Sequence, residues 1–126
     1  MNAYVTDIES EYIDAYFLEC YEFIKEALSH HENRVLVHCG FGVSRSASLV
    51  IMYLMKAWQV GYDEAYRFVK ECREIIEPNE GFKAQLIKFE MQAKTFVRRS
   101  SMRSQESSDS YELDGTLKKS GSGLLT

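Results

Sequence analysis

The sequence has no excess of basic charge, no apolar run long enough to span a bilayer and no patterned set of cysteines. Each lack excludes a class of function. A net charge of -4 leaves no basic footprint for nucleic acid. No apolar stretch approaches the roughly 20 residues that a bilayer core requires. The opening residues, MNAYVTDIES, have neither the basic start nor the apolar stretch of a secretory signal. Cys20, Cys39 and Cys72 show no CxxC spacing, so neither a disulfide framework nor a zinc site can be read from them. The expectation is a soluble cytoplasmic protein with reduced thiols, the nucleus being the other compartment open to it. No internal repeat is present.

What is there is apolar material for one globular domain: 126 residues, 45% hydrophobic and 13% aromatic. From Glu11 to His30 the residues Tyr12, Ile13, Tyr16, Phe17, Cys20, Phe23, Ile24, Ala27 and Leu28 recur at helical spacing. After a polar turn, Val35-Leu36-Val37 and His38 read as a buried strand ending at Cys39. Ser46 to Trp58 is apolar nearly all round and predicts a central buried helix. A third helix is expected from Tyr62 to Glu74, with Asp63 and Glu64 at its positive end. Pro78-Asn79 breaks the pattern, and Asn79 can cap a last helix from Glu80 to about Val97. Residues 99–126, rich in Ser and Gly, are expected to be a disordered tail after a folded unit at 1–98.

A strand, a glycine-containing loop and then a helix make a phosphate cradle, because loop amides and the helix N-terminus converge on one point. Here the loop is HCGFGVSRS. Cys39 and Arg45 bracket Gly40, Phe41, Gly42, Val43 and Ser44, whose amides can ring a phosphate. Gly40 and Gly42 permit backbone conformations that a side chain would hinder. Arg45 offers a planar fork for two phosphate oxygens. A thiol held in the field of those dipoles and the guanidinium is favoured as the thiolate, the nucleophilic form. A phosphocysteine intermediate would split hydrolysis into two displacements. Ser46 can donate a hydrogen bond to the sulfur and make it a better leaving group in the second. A cysteine alone at a strand end is usually a packing residue; the full set at one spacing favours the chemistry.

The HCx5R pattern, with VLVHC, GVSRS and the apolar helix after it, resembles the dual-specificity phosphatases of the cysteine-based protein tyrosine phosphatase superfamily. The likeness runs from about Tyr4 to Phe89. It implies an α/β domain with a central strand, and a protein phosphatase acting on phosphotyrosine and phosphoserine or phosphothreonine. It also implies a phosphoprotein substrate, a monomer, no membrane or nucleic-acid partner, and neither metal nor other cofactor. Cys39, Arg45 and Ser46 match the family's site position by position. Phe41 departs from it, since a small residue is commoner there. Gly-Phe-Gly-Val-Ser holds no basic residue, which argues against inositol phospholipids as substrates, and the acidic net charge argues against polyphosphorylated RNA.

Expelling an alkoxide or phenolate needs a proton donor. Relatives place an aspartate about thirty residues before the cysteine, and Asp7 stands at that distance. Glu9, Glu11 and Asp14 are rivals, and Thr6 with Glu9 could instead form a capping box, with Ser10 a further cap. His38 resembles the family histidine that buttresses the cysteine loop, although a structural histidine fits equally. Asn79, in PNEGF, resembles the asparagine that braces the loop, and a plain helix cap would look the same. The stretches RRSSMRS and SSDSYE hold serines beside charged residues, a weak pattern for kinase targets.

The family's domain normally has several strands ahead of the acid loop, and six residues stand there in this chain. The strand Val35 to His38 is therefore expected to lack its partners, leaving a thin core and an unstable or weakly active chain. The alternative to an enzyme is a module that captures phosphoproteins without turnover.

Overall fold

In the computed structural model, which describes residues 1–104 and 124–125, the first periodic stretch starts with a 3₁₀ turn, Ile13–Tyr16. It leads directly into α1, Phe17–Ala27. Ile13, Phe17, Cys20 and Ile24 share one face and are buried, as their three- and four-residue spacing requires. The helix is shorter than the Glu11 to His30 span read from periodicity. At its end Asn33 folds back and donates its side-chain amide to the Ala27 carbonyl at 2.8 Å.

Strand β1 is Val35–Leu36, half the length expected; Val37 and His38 already belong to the approach to the loop. Val35 is buried and Leu36 exposed, so the strand is covered on one face only. Its partner is β2, Leu124–Leu125, running parallel with Val35 opposite Leu124 and Leu36 opposite Leu125. One edge of the strand is thus paired, by a segment read as disordered tail, and among the described residues the sheet holds these two strands alone, the strand-poor core that the sequence led us to expect.

Helix α2, Arg45–Trp58, is the centre of the molecule. Ala47, Leu49, Val50, Ile51, Met52, Leu54 and Met55 are all buried, because α1, α3 and α4 pack around the helix. It stops at Gln59, which turns left-handed at φ 55° and donates its N–H to the Met55 carbonyl. Helix α3 is Tyr62–Cys72 and α4 is Glu80–Ser104. The start of α3 has a partner that local sequence did not reveal. Glu90, on α4, accepts the Tyr62 N–H at 2.8 Å and pairs with Lys94.

Two tail expectations need correction. Residues 99–104 continue α4, since the stretch RRSSMRS holds neither glycine nor proline to end it. The Thr95 and Ser100 hydroxyls bond back to the Met91 and Phe96 carbonyls within the helix. Leu124–Leu125 form β2, as above. The rest of the expected tail, 105–123 and 126, lies outside the described residues. Among the described residues no helix is long and apolar enough to cross a membrane.

Candidate active site

The phosphate loop runs from the end of β1 into the first turn of α2. Two buried serines anchor its exit. Ser48 donates its hydroxyl and its N–H to the Ser44 carbonyl, at 2.7 and 2.9 Å. Gly42 lies at φ +65°, a conformation that favours glycine, and an added Cβ there would meet Arg73 Nη2 at 2.8 Å. Gly40 has no such positive φ, so the conformational argument holds for Gly42 and not for Gly40.

Cys39 is half-buried at the base of this loop, with the Ser46 hydroxyl 3.3 Å from its sulfur and the Gly42 N–H donating to it at 3.2 Å. Burial alone would push the thiol up. The Ser46 hydroxyl and the N–H groups of Ser46, Gly42 and Phe41 outweigh that and bring it down from 9.0 to about 7. The lowering therefore rests on hydrogen bonds, and the guanidinium expected to assist is not among its sources. Phe41 is 81% exposed at the loop's tip, yet its amide faces inward and takes part.

Arg45 is held by its own surroundings. Its Nη1 donates to the Val5 carbonyl at 3.4 Å, which ties the N-terminal segment to the loop. Its Nη2 lies 3.1 Å from where a Cβ on Gly40 would stand. Its Nε is buried and has no acceptor among the described residues. Leaving a buried N–H unpaired costs about 1–3 kcal/mol, which an anionic oxygen in the cradle would recover. A cavity of about 470 Å³ opens there, with Cys39, Gly40, Arg45, Ser46, Tyr4 and Val5 among its walls.

Asp7 is exposed, and its Oδ1 accepts a hydrogen bond from Asn79 Nδ2 at 2.9 Å. Asn79 does three things at once. Its Oδ1 accepts the Phe82 N–H at 2.9 Å, capping α4. Its own N–H donates to Ser44 Oγ at 3.0 Å, holding the phosphate loop. Its Nδ2 holds Asp7. The side chain thus makes the cap, and the tie to the loop comes from the backbone N–H of the same residue. Among the described residues, Asp7 alone of the four candidate acids has its carboxylate bonded to a residue that also grips the loop. The Thr6–Glu9 capping box does not form; Thr6 and Ile8 instead close successive backbone turns at 3.0 and 3.1 Å. His38 is exposed and lines the cavity, and among the described residues no hydrogen bond gives it a buttressing role.

Several loop supports escape sequence reasoning because they come from distant parts of the chain. Arg73 Nε donates to the Gly42 carbonyl at 3.1 Å, and the Glu77 N–H donates to the Val43 carbonyl at 2.8 Å. Both come from the connection between α3 and α4. The only local signal was PNEGF, and it pointed to Asn79 alone.

With this geometry in hand, likeness to known proteins is informative. The family described as dual specificity phosphatase, catalytic domain, matches residues 1–92. Rat dual specificity protein phosphatase 4 is 44% identical over 91 residues, which is 72% of this chain and 23% of that protein. A mouse dual specificity phosphatase complexed with zinc tungstate superimposes with a TM-score of 0.70 at 32% identity. That match covers 74% of this chain and 58% of the other. The human tyrosine phosphatase-like serine/threonine/tyrosine-interacting protein gives a TM-score of 0.67 at 38% identity, over 71% of this chain and 58% of its own. The chain thus spans less than a quarter of the length of curated relatives such as the rat protein.

Proposed function

The chain belongs to the dual specificity phosphatase family, and from that premise we propose that it hydrolyses phosphotyrosine and phosphoserine or phosphothreonine esters in proteins through a phosphocysteine intermediate. The observation that carries the reading is the Cys39 thiol brought down to about 7 at the base of a ring of inward amides. In the first displacement the Cys39 thiolate attacks phosphorus. A sulfur–phosphorus bond forms, the bond from phosphorus to the leaving oxygen breaks, and Asp7 gives that oxygen its proton. In the second, Asp7 as carboxylate takes a proton from water, the water oxygen bonds to phosphorus, and the sulfur leaves as thiolate with Ser46 donating to it. Arg45 and the loop amides hold the phosphoryl oxygens throughout, where charge accumulates. The mouse relative is complexed with zinc tungstate, whose anion is phosphate-like in shape, and that is in keeping with an oxyanion ligand for a domain of this kind.

The test is turnover of a small aryl phosphate by this chain beside a Cys39→Ser variant. Release by the parent and none by the variant is expected, and equal release by both would sink the enzyme reading. A second reading, phosphoprotein capture without turnover, draws support from the human relative named as a phosphatase-like, interacting protein. Phosphopeptide binding by the unaltered chain without hydrolysis would favour it.

A further inference from the structure

The segment that carries Asp7 is held less by its own structure than by the first two turns of α4. Asp7 to Asp14 contains no regular element until Ile13. Its ties to α4 are specific. Besides the Asn79–Asp7 bond at 2.9 Å, Gln85 makes two hydrogen bonds of opposite sense. Its Oε1 accepts the Asp14 N–H at 3.0 Å, and its Nε2 donates to the Glu11 carbonyl at 2.8 Å. These satisfy backbone groups that a loop of this kind would otherwise leave to water. Between Asn79 and Gln85 the segment lies directly on the helix. A Cβ built on Gly81 would stand 1.9 Å from the Glu9 carbonyl oxygen and 2.7 Å from the Glu9 Cα. Those are backbone atoms, so no side chain can swing away to make room. Gly81 is in an ordinary helical conformation, and a glycine inside a helix is unfavourable by roughly 1 kcal/mol against alanine. The close approach accounts for its presence.

We propose that Gly81 and Gln85 are positioning residues for the general acid: together with Asn79 they form a seat on α4 that fixes where the Asp7 carboxylate stands relative to the phosphate loop. This rests on the reading of Asp7 as proton donor. The seat and the loop share one support, since Asn79 also holds Ser44, so the distance from acid to cradle is set by a single helix end. A side chain at 81 must lift the segment by about 1 Å or more, and displacements of that size near reacting groups cost about a hundredfold in rate.

The experiment compares Gly81→Ala and Gln85→Leu with the parent and with Asp7→Asn on two substrates. One is an aryl phosphate whose phenol is acidic enough to leave unprotonated; the other is a phosphothreonine peptide, whose alkoxide must be protonated. Both seat variants are expected to lose kcat on the peptide, Gly81→Ala by about 10- to 100-fold. On the activated ester the expected change is less than about threefold, since the acid's contribution falls with leaving-group acidity. The Cys39 alkylation midpoint should stay where it is, and in the Asp7→Asn background Gly81→Ala should add no further loss. Equal losses on both substrates, or a further loss added to Asp7→Asn, would overturn the proposal. Amide hydrogen exchange supplies a readout free of turnover: Gln85→Leu should strip protection from the Asp14 N–H while leaving α2 protected. Retained protection of Asp14 would overturn the seat whatever the kinetics. Should the unaltered chain show no leaving-group difference from Asp7→Asn, the proton-donor reading fails instead, and the exchange result tells the two failures apart.

Discussion

At the scale of single residues, three thiols meet three environments. Cys20 is buried in the core face of α1, where burial, with Glu19 beside it, pushes the thiol up to about 11. Cys72 is exposed at the end of α3. Cys39 is brought down to about 7 by the Ser46 hydroxyl and three loop amides working against burial. In a Cys72→Ser background, alkylation by iodoacetamide should therefore modify Cys39 with a rate that climbs through pH about 7 and levels off above it. Cys20 should remain unmodified over the same range. Ser46→Ala removes the largest of the lowering contributions, so the midpoint should move toward the ordinary value near 9.0. The sign of the linkage follows. Folding favours the thiolate, so the contribution of Cys39 to stability is fully present above about 9 and is lost as pH falls through about 7. Mass spectrometry of the alkylated sites across pH checks the reactivities, and urea unfolding of the parent beside Cys39→Ser at pH 6 and pH 9 checks the linkage.

At the scale of elements, partners distant in sequence decide what local pattern leaves open. The start of α3 illustrates the point. Asp63 and Glu64 were visible as favourable first-turn charges, but the carboxylate that accepts the Tyr62 N–H is Glu90, from α4. Lys94 and that N–H hold the Glu90 carboxyl below the usual carboxylate range. Glu90→Gln keeps an acceptor for the Tyr62 N–H and removes the charge, which should cost about 0.3–1 kcal/mol. A depressed carboxylate stabilises fully above its ordinary value of 4.5, so the gap between variant and parent should close as pH falls well below that value. Urea unfolding at pH 7 and pH 3 measures it. The same logic explains which parts of the fold and site were legible. Four helices, the strand before Cys39 and the loop from Cys39 to Ser46 could be read because each is written in contiguous periodicity or spacing. Arg73, Glu77, Gly81 and Gln85 could not, because their partners lie far along the chain and their residue types are ordinary. The pairing of Val35 with Leu124 was invisible for the same reason, and composition pointed the other way. The end of α4 was misjudged because serine and arginine are as compatible with a solvated helix as with a tail.

At the scale of the whole molecule, α2 is the shared wall of everything else. Its first turn ends the phosphate loop, and its body carries Ile51, Met52 and Leu54 into contact with the other helices. Phe82 and Leu86 bring α4 against that centre, and both are fully buried. Phe82 has a double tie to the site, because its amide is the one that Asn79 caps. Removing its ring should cost about 3–5 kcal/mol, a large share of the roughly 5–15 kcal/mol that holds a small domain together. Phe89, seven residues and about two turns further along α4, offers the comparison. It is only partly buried and meets Phe17 edge-on with ring centroids 5.3 Å apart, so Phe89→Ala should cost clearly less. Urea midpoints of the two variants decide whether the centre of the core lies at the start of α4, beneath the site, or is spread along the helix. A Phe82→Ala loss no greater than that of Phe89→Ala would place it elsewhere, and the phosphate loop would then not depend on the part of the core that packs beneath Asn79.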